Sequence, residues 1–263
     1  MAIIADTHLH LYSTDRIGQA LSLLSQRLGQ LAQSAGVPGA ARLGFLAERQ
    51  GQHVFADLRN GLLKLEGVTL APTPEGGAVL AMASGSTLHL LAGRQIVAAE
   101  RIEVLALAVE MSVPDGLPAA EVIRRVLAAG GIPVLAWAPG KWWFQRGRVV
   151  AELLRCFPPE QVLLGDTSLR PLGWGEPCRM RAARRQGYGM VAGSDPLPFV
   201  GDDRHMGTYG TLLPGDLDLR RPVTSARDAL RQSRAGVRLL GRRGDPVTVA
   251  RRLWRNSRMG GVY

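Results

Sequence analysis

The sequence predicts an α/β fold, and within that class a barrel in preference to a doubly wound sheet. Three observations lead there. Short apolar β-type runs alternate with amphipathic helical stretches along most of the 263 residues, the pattern of parallel strands joined by crossover helices. No GxGxxG follows the first strand, so a dinucleotide site of the doubly wound type has no support. Polar residues also recur just after strand ends, at His8/His10, Glu48/Arg49, Lys141, Asp166 and Asp195. In a barrel those positions converge on one rim, the C-terminal face.

Residues 2–6 read as the first strand. A helix over about 16–34 follows, with Ile17, Leu21, Leu24, Leu28 and Leu31 on one stripe, and Val37-Pro38-Gly39 breaks it. Residues 42–47 form a second strand and 54–63 a second helix. An irregular β-rich region comes next, with short extended runs at 67–70, 78–82, 87–91 and 96–98 set apart by Gly and Pro. The run 102–107 (IEVLAL) has the composition of a buried strand. Regular alternation then resumes: helix 119–128, strand 132–137, helix 148–156, strand 161–164, helix 178–186, strand 190–192. Two basic helices close the chain, one capped by Ser225 and one by Asp245 with Pro246 in its first turn.

Composition narrows the function classes. Apolar residues at 46% and charged residues at 21% suit a globular protein. The start, MAIIAD, lacks the basic n-region of a signal peptide. No apolar run approaches the roughly 18 residues of a membrane span, and a cytoplasmic protein is the expectation. Cys156 and Cys178 form no CxxC pair. The net charge is +10, yet only Lys64 and Lys141 among 32 basic residues are lysines. Between Arg220 and Arg258 lie twelve arginines and two acids, Asp228 and Asp245, so that segment alone carries the whole excess. Such a surface can attract nucleic acid or another anion. It is equally a solvated helical face in an arginine-rich chain, and only Trp254 is there to stack on a base.

The chemistry begins at Asp6-Thr7-His8-Leu9-His10. His8 and His10 are two residues apart, so on an extended backbone both imidazoles point the same way. That offers a divalent ion two nitrogen ligands, with room for a carboxylate opposite. Asp195, in Gly193-Ser194-Asp195 after the last β-type run, supplies that oxygen if the first and last strands are neighbours. Gly140-Lys141-Trp142-Trp143 offers a cation beside two rings, and Asp166 and Arg170 lie on the next rim loop. These cations can hold a phosphate or a sugar acid; alternatively the tryptophans pack loops and Asp166 pairs with Arg170. His205, in Asp202-Asp203-Arg204-His205, is a further ligand or general acid, or a surface histidine. His53 and His89 read as structural, and Glu75 as a turn residue or a rim carboxylate.

Residues 6–10 resemble the opening motif of the polymerase and histidinol phosphatase (PHP) superfamily, here in a divergent branch related to amidohydrolase-type barrels. The resemblance runs in order through about residues 2–199. It includes Gly93-Arg94-Gln95-Ile96-Val97, the strand Ile102–Leu107, the stretch Gly131–Gly140, and Gly193-Ser194-Asp195-Pro196-Leu197. It implies a distorted seven-stranded (β/α) TIM-like barrel over residues 1–215, with the basic helices of 216–263 packed on the same domain, and metal-assisted phosphoester hydrolysis as the activity. Only His8, His10 and Asp195 match the family's ligands residue for residue. Where it has others, this chain has Glu48-Arg49, Gln95, Glu103, Trp137 and Leu197. The expectation is therefore one zinc or manganese ion held by His8, His10 and Asp195, with Glu103 as a fourth ligand. Glu48 and His205 would handle protons, while Lys141, Asp166 and Arg170 would bind a small phosphorylated or anionic substrate. The competing expectation is a degenerate barrel that binds an anionic ligand or nucleic acid without catalysis.

Overall fold

The computed structural model describes residues 2–12, 16–83, 85–233 and 237–259. Its first strand, β1 (Ile3–Leu9), is buried along its whole length, as its run of apolar residues demands. Helix α1 (Ile17–Ser34) lays the stripe Ile17, Leu21, Leu24 and Leu28 against the sheet. β2 (Ala41–Leu46) and the short α2 (Val54–Arg59) follow, then a meander of β3 (Val68–Pro72), β4 (Ala78–Ala83) and β5 (Ser86–Leu91). β6 (Gly93–Val97) and β7 (Glu103–Leu107) form a hairpin, followed by α3 (Ala119–Ala128) and β8 (Ile132–Ala136). The order continues with α4 (Phe144–Cys156), β9 (Leu163–Thr167), α5 (Cys178–Arg185) and β10 (Met190–Gly193). It ends with β11 (Tyr209–Leu213), α6 (Pro222–Gln232), β12 (Arg238–Gly241) and α7 (Pro246–Arg258).

The predicted seven-stranded barrel is corrected here. The strands lie in two sheets, one of seven strands in the order β12-β11-β1-β2-β5-β4-β3 and one of five in the order β10-β9-β8-β7-β6. Several pairs are antiparallel, including β1 with β11, β6 with β7, and β7 with β8, so the chain is not a uniform βα alternation. One part of the difference is the antiparallel run from β3 to β8; the other is β11 and β12, which no sequence signal announced. β11 takes the edge of β1 that a closing last strand would have used.

The sheets face each other across an apolar layer built from Ile3, Ala5, Phe45, Leu105, Val134 and Val191, extended by Ala226 and Leu230 of α6. A second core packs α1 on the outer side of the larger sheet, and a third packs α3, α4 and α5 on the smaller. Edges of the two sheets meet at two seams. At one, Glu48 after β2 makes an isolated bridge with Arg94 of β6. At the other, Asp195 N–H donates to His8 C=O at 3.0 Å. Each seam holds a glycine. A Cβ on Gly93 would lie 2.3 Å from Leu46 O, and one on Gly193 would lie 2.4 Å from His8 N. Any side chain there would push the sheets apart.

Of the two expected caps at the C-terminal helices, one changes and one stands. Ser225 lies inside α6, whose N-cap is Arg221 with no side-chain cap bond. Asp245 does cap α7, accepting from Thr248 N. No helix among the described residues is long and apolar enough to cross a membrane. Arg234, one of the twelve C-terminal arginines, lies outside the described residues.

Candidate metal centre

The pairing of β1 with β2 slips by one residue between Asp6 and Leu9, a bulge of the kind that re-aims side chains. Its effect follows from the cores. Before it, Ile3 and Ala5 face the inter-sheet layer and Ile4 faces α1. After it, Leu9 joins Ile4 on the α1 side, which leaves His8 and His10 to the space between the sheets. Gln95 arrives from β6, where its neighbour Ile96 faces the helices. Glu103 precedes an alternation in which Leu105 and Leu107 face inward.

There His8 Nε2 and His10 Nε2 lie 3.1 Å apart. Asp195 Oδ1 is 3.6 Å from the first and 3.7 Å from the second. All three side chains are buried, and their ligand atoms fall within 4.8 Å of one another. Gln95 Oε1 lies 2.8 Å from His8 Nε2, and Thr167 Oγ1 donates to Asp195 Oδ2 at 3.2 Å. Two ligand atoms each about 2.1 Å from a tetrahedral ion are about 3.4 Å apart, a value the three observed separations bracket. The protonation chemistry agrees. Burial, then the neighbouring His8, then Arg49 hold His10 well below its ordinary pKa, so it stays the neutral imidazole that ligates a metal. A proton on His8 Nε2 can satisfy Gln95 Oε1. With its own proton on Nδ1, His10 turns Nε2 toward Asp195 Oδ1 as a second acceptor, and that Nδ1 has no hydrogen-bond partner among the described residues. A buried group this rich in acceptors fits a cation. The His-His-Asp group can hold a metal ion, and nothing in its geometry selects which one.

The backbone around it is built to close tolerances. Asp195 has φ +49°, a left-handed conformation that is strained for a residue with a side chain. Asp6 does not face the group but holds its frame. Its Oδ1 accepts from His8 N at 3.2 Å and Ser194 N at 2.9 Å, and its Oδ2 accepts from Gly207 N at 3.0 Å. Burial pushes its pKa up to about 6 against those hydrogen bonds. Arg252 of α7 reaches the same loop, donating to Asp195 C=O at 3.0 Å while pairing with Asp202 at 2.8 Å. Sequence reasoning missed both roles. For Asp6 the signal was its place at the head of the HxH motif; for Arg252 there was none.

The other expected site residues are spread around this centre. Glu103, 4% exposed, accepts a hydrogen bond from Lys141 Nζ at 2.8 Å, so a cation already sits against the carboxylate foreseen as a fourth ligand. Asp166 and Arg170 form a buried bidentate pair at 2.8 and 2.5 Å, with Tyr209 O–H donating to Asp166 at 2.8 Å. Glu48 Oε1 accepts from Phe55 N at 2.6 Å in the first turn of α2, and burial raises its pKa. His205 lies 3.8 Å from Asp202, and burial followed by the Arg252 charge pushes it down to about 4. Tyr12 stacks on His10 at 5.2 Å and 20°; burial and the nearby Asp195 charge raise its pKa, which keeps the phenol neutral. Beside these rings lies a cavity of ≈ 20 Å³, bounded by Tyr12, Leu197 and Asp203, with room for about one water. Of the basic C-terminal segment, Arg227 and Arg252 turn inward to Ala108 C=O and Asp202. Arg258 lies over the exposed Trp254 ring at 4.2 Å.

No protein-family model matches the sequence, and no curated protein matches it. Solved structures do share its fold. PsfC from Pseudomonas syringae PB-5123 aligns with a TM-score of 0.55 at 14% identity, over 98% of this chain and 99% of that one. The lesion-specific endonuclease PfuEndoQ from Pyrococcus furiosus aligns with a TM-score of 0.52 at 12% identity, over 91% of this chain and 58% of the endonuclease.

Proposed function

We propose that this chain is a PHP-like, metal-dependent hydrolase with a single-ion site, acting on a phosphoester. One observation carries the reading: two imidazole nitrogens and a carboxylate oxygen converge in a buried pocket at separations that suit one divalent ion. The resemblance of residues 6–10 to the PHP opening motif supports it, as does the fold shared with a lesion-specific endonuclease. A bound zinc or manganese ion would supply Lewis acidity and lower the pKa of a water.

The chain's residues divide the remaining work. His8, His10 and Asp195 would hold the ion, and Thr167 orients the carboxylate through its second oxygen. Lys141 places a positive charge against Glu103, where a larger cluster would need a further metal. In this reading the ammonium replaces that ion's charge, which is why one ion suffices. Lys141 and Arg170, the latter oriented by Asp166, offset the negative charge that develops on a phosphoryl group. Glu48 serves as the proton-handling carboxylate. His205, pushed down to about 4, is neutral near pH 7 and so has no proton to donate as an imidazolium there. The small cavity beside His10 has room for that water.

Elemental analysis of the native protein, beside His8→Ala/His10→Ala, tests the reading. About one equivalent of divalent metal should be present and should vanish in the double variant. Aryl phosphate hydrolysis should fall with it by at least about a hundredfold. Stoichiometric metal without turnover of any phosphoester would favour the non-catalytic, ligand-binding alternative. Substoichiometric metal, equal in both proteins, would end the hydrolase reading and leave the non-catalytic, ligand-binding alternative.

A further inference from the structure

On the other side of Lys141 the protein opens to solvent in a cleft of ≈ 680 Å³, whose walls include Arg101, Lys141, Trp143, Phe144 and Arg146. Four features of it coincide. Phe144 is 88% exposed and Trp143 45% exposed, so two consecutive rings stand in water. Trp143 is steadied from behind by Trp174, ring centroids 6.1 Å apart. Only four non-glycine residues among those described have a left-handed backbone, and two of them, Arg101 at φ +58° and Phe144 at φ +52°, line this cleft. A third is the metal-site residue Asp195. Strain of this kind costs on the order of 1–3 kcal/mol, and holding a phenylalanine in it to face solvent brings no packing in return.

The wall carries Arg101, Lys141 and Arg146 against a single acid, Glu100. Among the described residues Arg101 and Arg146 have no carboxylate partner. The acid in the wall, Glu100, is engaged elsewhere, accepting from Ala119 N at 3.0 Å to cap α3. Trp143, at the N-cap of α4, gives no side-chain bond to the first amides of that helix, and among the described residues no other side chain caps them beside the arginines. Flat rings next to unpaired guanidinium groups and free amides are complementary to a flat ring carrying a phosphate.

We infer that this cleft binds a nucleotide, its base stacked on Trp143 and Phe144 and its phosphate held by Arg101 and Arg146. The same chemistry is offered by a free mononucleotide and by one residue of a single strand. Binding here needs no turnover, so the inference stands or falls apart from the hydrolase reading. If both hold, the cleft delivers a nucleotide phosphoester toward Lys141.

The test uses the full chain and three variants, Phe144→Gly, Trp143→Ala and Arg101→Ala. Fluorescence anisotropy of a labelled single-stranded dT 12-mer is read with and without AMP as competitor, and tryptophan quenching by AMP is read alone. Glycine accepts the backbone of Phe144 without strain, so Phe144→Gly should melt no lower than wild type and yet bind at least about fivefold more weakly. Trp143→Ala should lose a similar factor, and Arg101→Ala should also flatten the salt dependence. Displacement by AMP identifies a mononucleotide site; binding of the 12-mer that AMP does not displace identifies a strand. Absence of binding to both probes would overturn the inference. So would variants that bind as wild type, or sedimentation showing that Phe144→Gly only dissolves a self-associated form.

Discussion

Two residues of one short segment, Gly193 and Asp195, set the geometry at the edge of the candidate metal centre. Gly193 is small because His8 N and Cβ would lie 2.4 and 2.5 Å from any Cβ placed there. Two positions on, Asp195 takes the left-handed conformation that aims its carboxylate at both imidazoles. Gly193→Ala should therefore do more than destabilise. The clash is with backbone, so β10 must retreat from β1 and the three ligand atoms must separate. A loss of about 1–3 kcal/mol in urea unfolding is expected, together with reduced metal content by elemental analysis. Loss of stability with full metal occupancy would show that the ligands move as a rigid set. The candidate ligands were legible in the sequence, since an HxH after a first strand and a GSD after a late one are local patterns. Asp6, Gly193 and Arg252 were not, because each acts on backbone that is distant in sequence.

At the level of elements, α6 has a cap that its own sequence lacks. Arg221 offers no side-chain acceptor, yet Glu75, in the turn between β3 and β4, accepts from Val223 N at 2.8 Å, Thr224 N at 3.0 Å and Thr224 Oγ1 at 2.5 Å. The open choice between turn residue and rim carboxylate thus ends on the turn, from which Glu75 caps α6 in trans. Burial opposes its charge, but the bonds from Thr224 and Val223 outweigh burial and hold its pKa below the ordinary 4.5. A folded-state pKa below the unfolded one stabilises the protein above about pH 4.5, and the benefit is lost as pH falls through the folded value. Glu75→Gln should cost about 1 kcal/mol at pH 7. Its melting temperature should also fall less than that of wild type on acidification from pH 5 to 3. Parallel acid slopes in the two proteins would remove Glu75 from the account.

Across the whole molecule, cohesion depends on how two sheets are joined without a continuous ladder. β11 belongs to the larger sheet, but Thr211 crosses the seam. Its hydroxyl accepts from Ala192 N at 2.7 Å and donates to Ala192 C=O at 3.2 Å, doing with one side chain what a paired strand would do. Thr211 is fully buried, so Thr211→Val keeps the shape and strands both backbone groups of Ala192. A loss of about 1–3 kcal/mol is expected, with faster amide exchange along β10. Unchanged exchange there would show that the apolar layer alone holds the sheets together.

Local patterning told of nearly every helix, most strands and the three converging ligands, because hydrophobic period and residue spacing are properties of a few neighbouring positions. It gave no notice of β11 and β12, of the bulge that turns His8 and His10 inward, or of the division into two sheets. Those outcomes depend on which strand edges compete for β1 and on where a missing Cβ lets two backbones touch. Such contests are decided between residues as far apart as Asp6 and Gly207, once the chain has already folded around them.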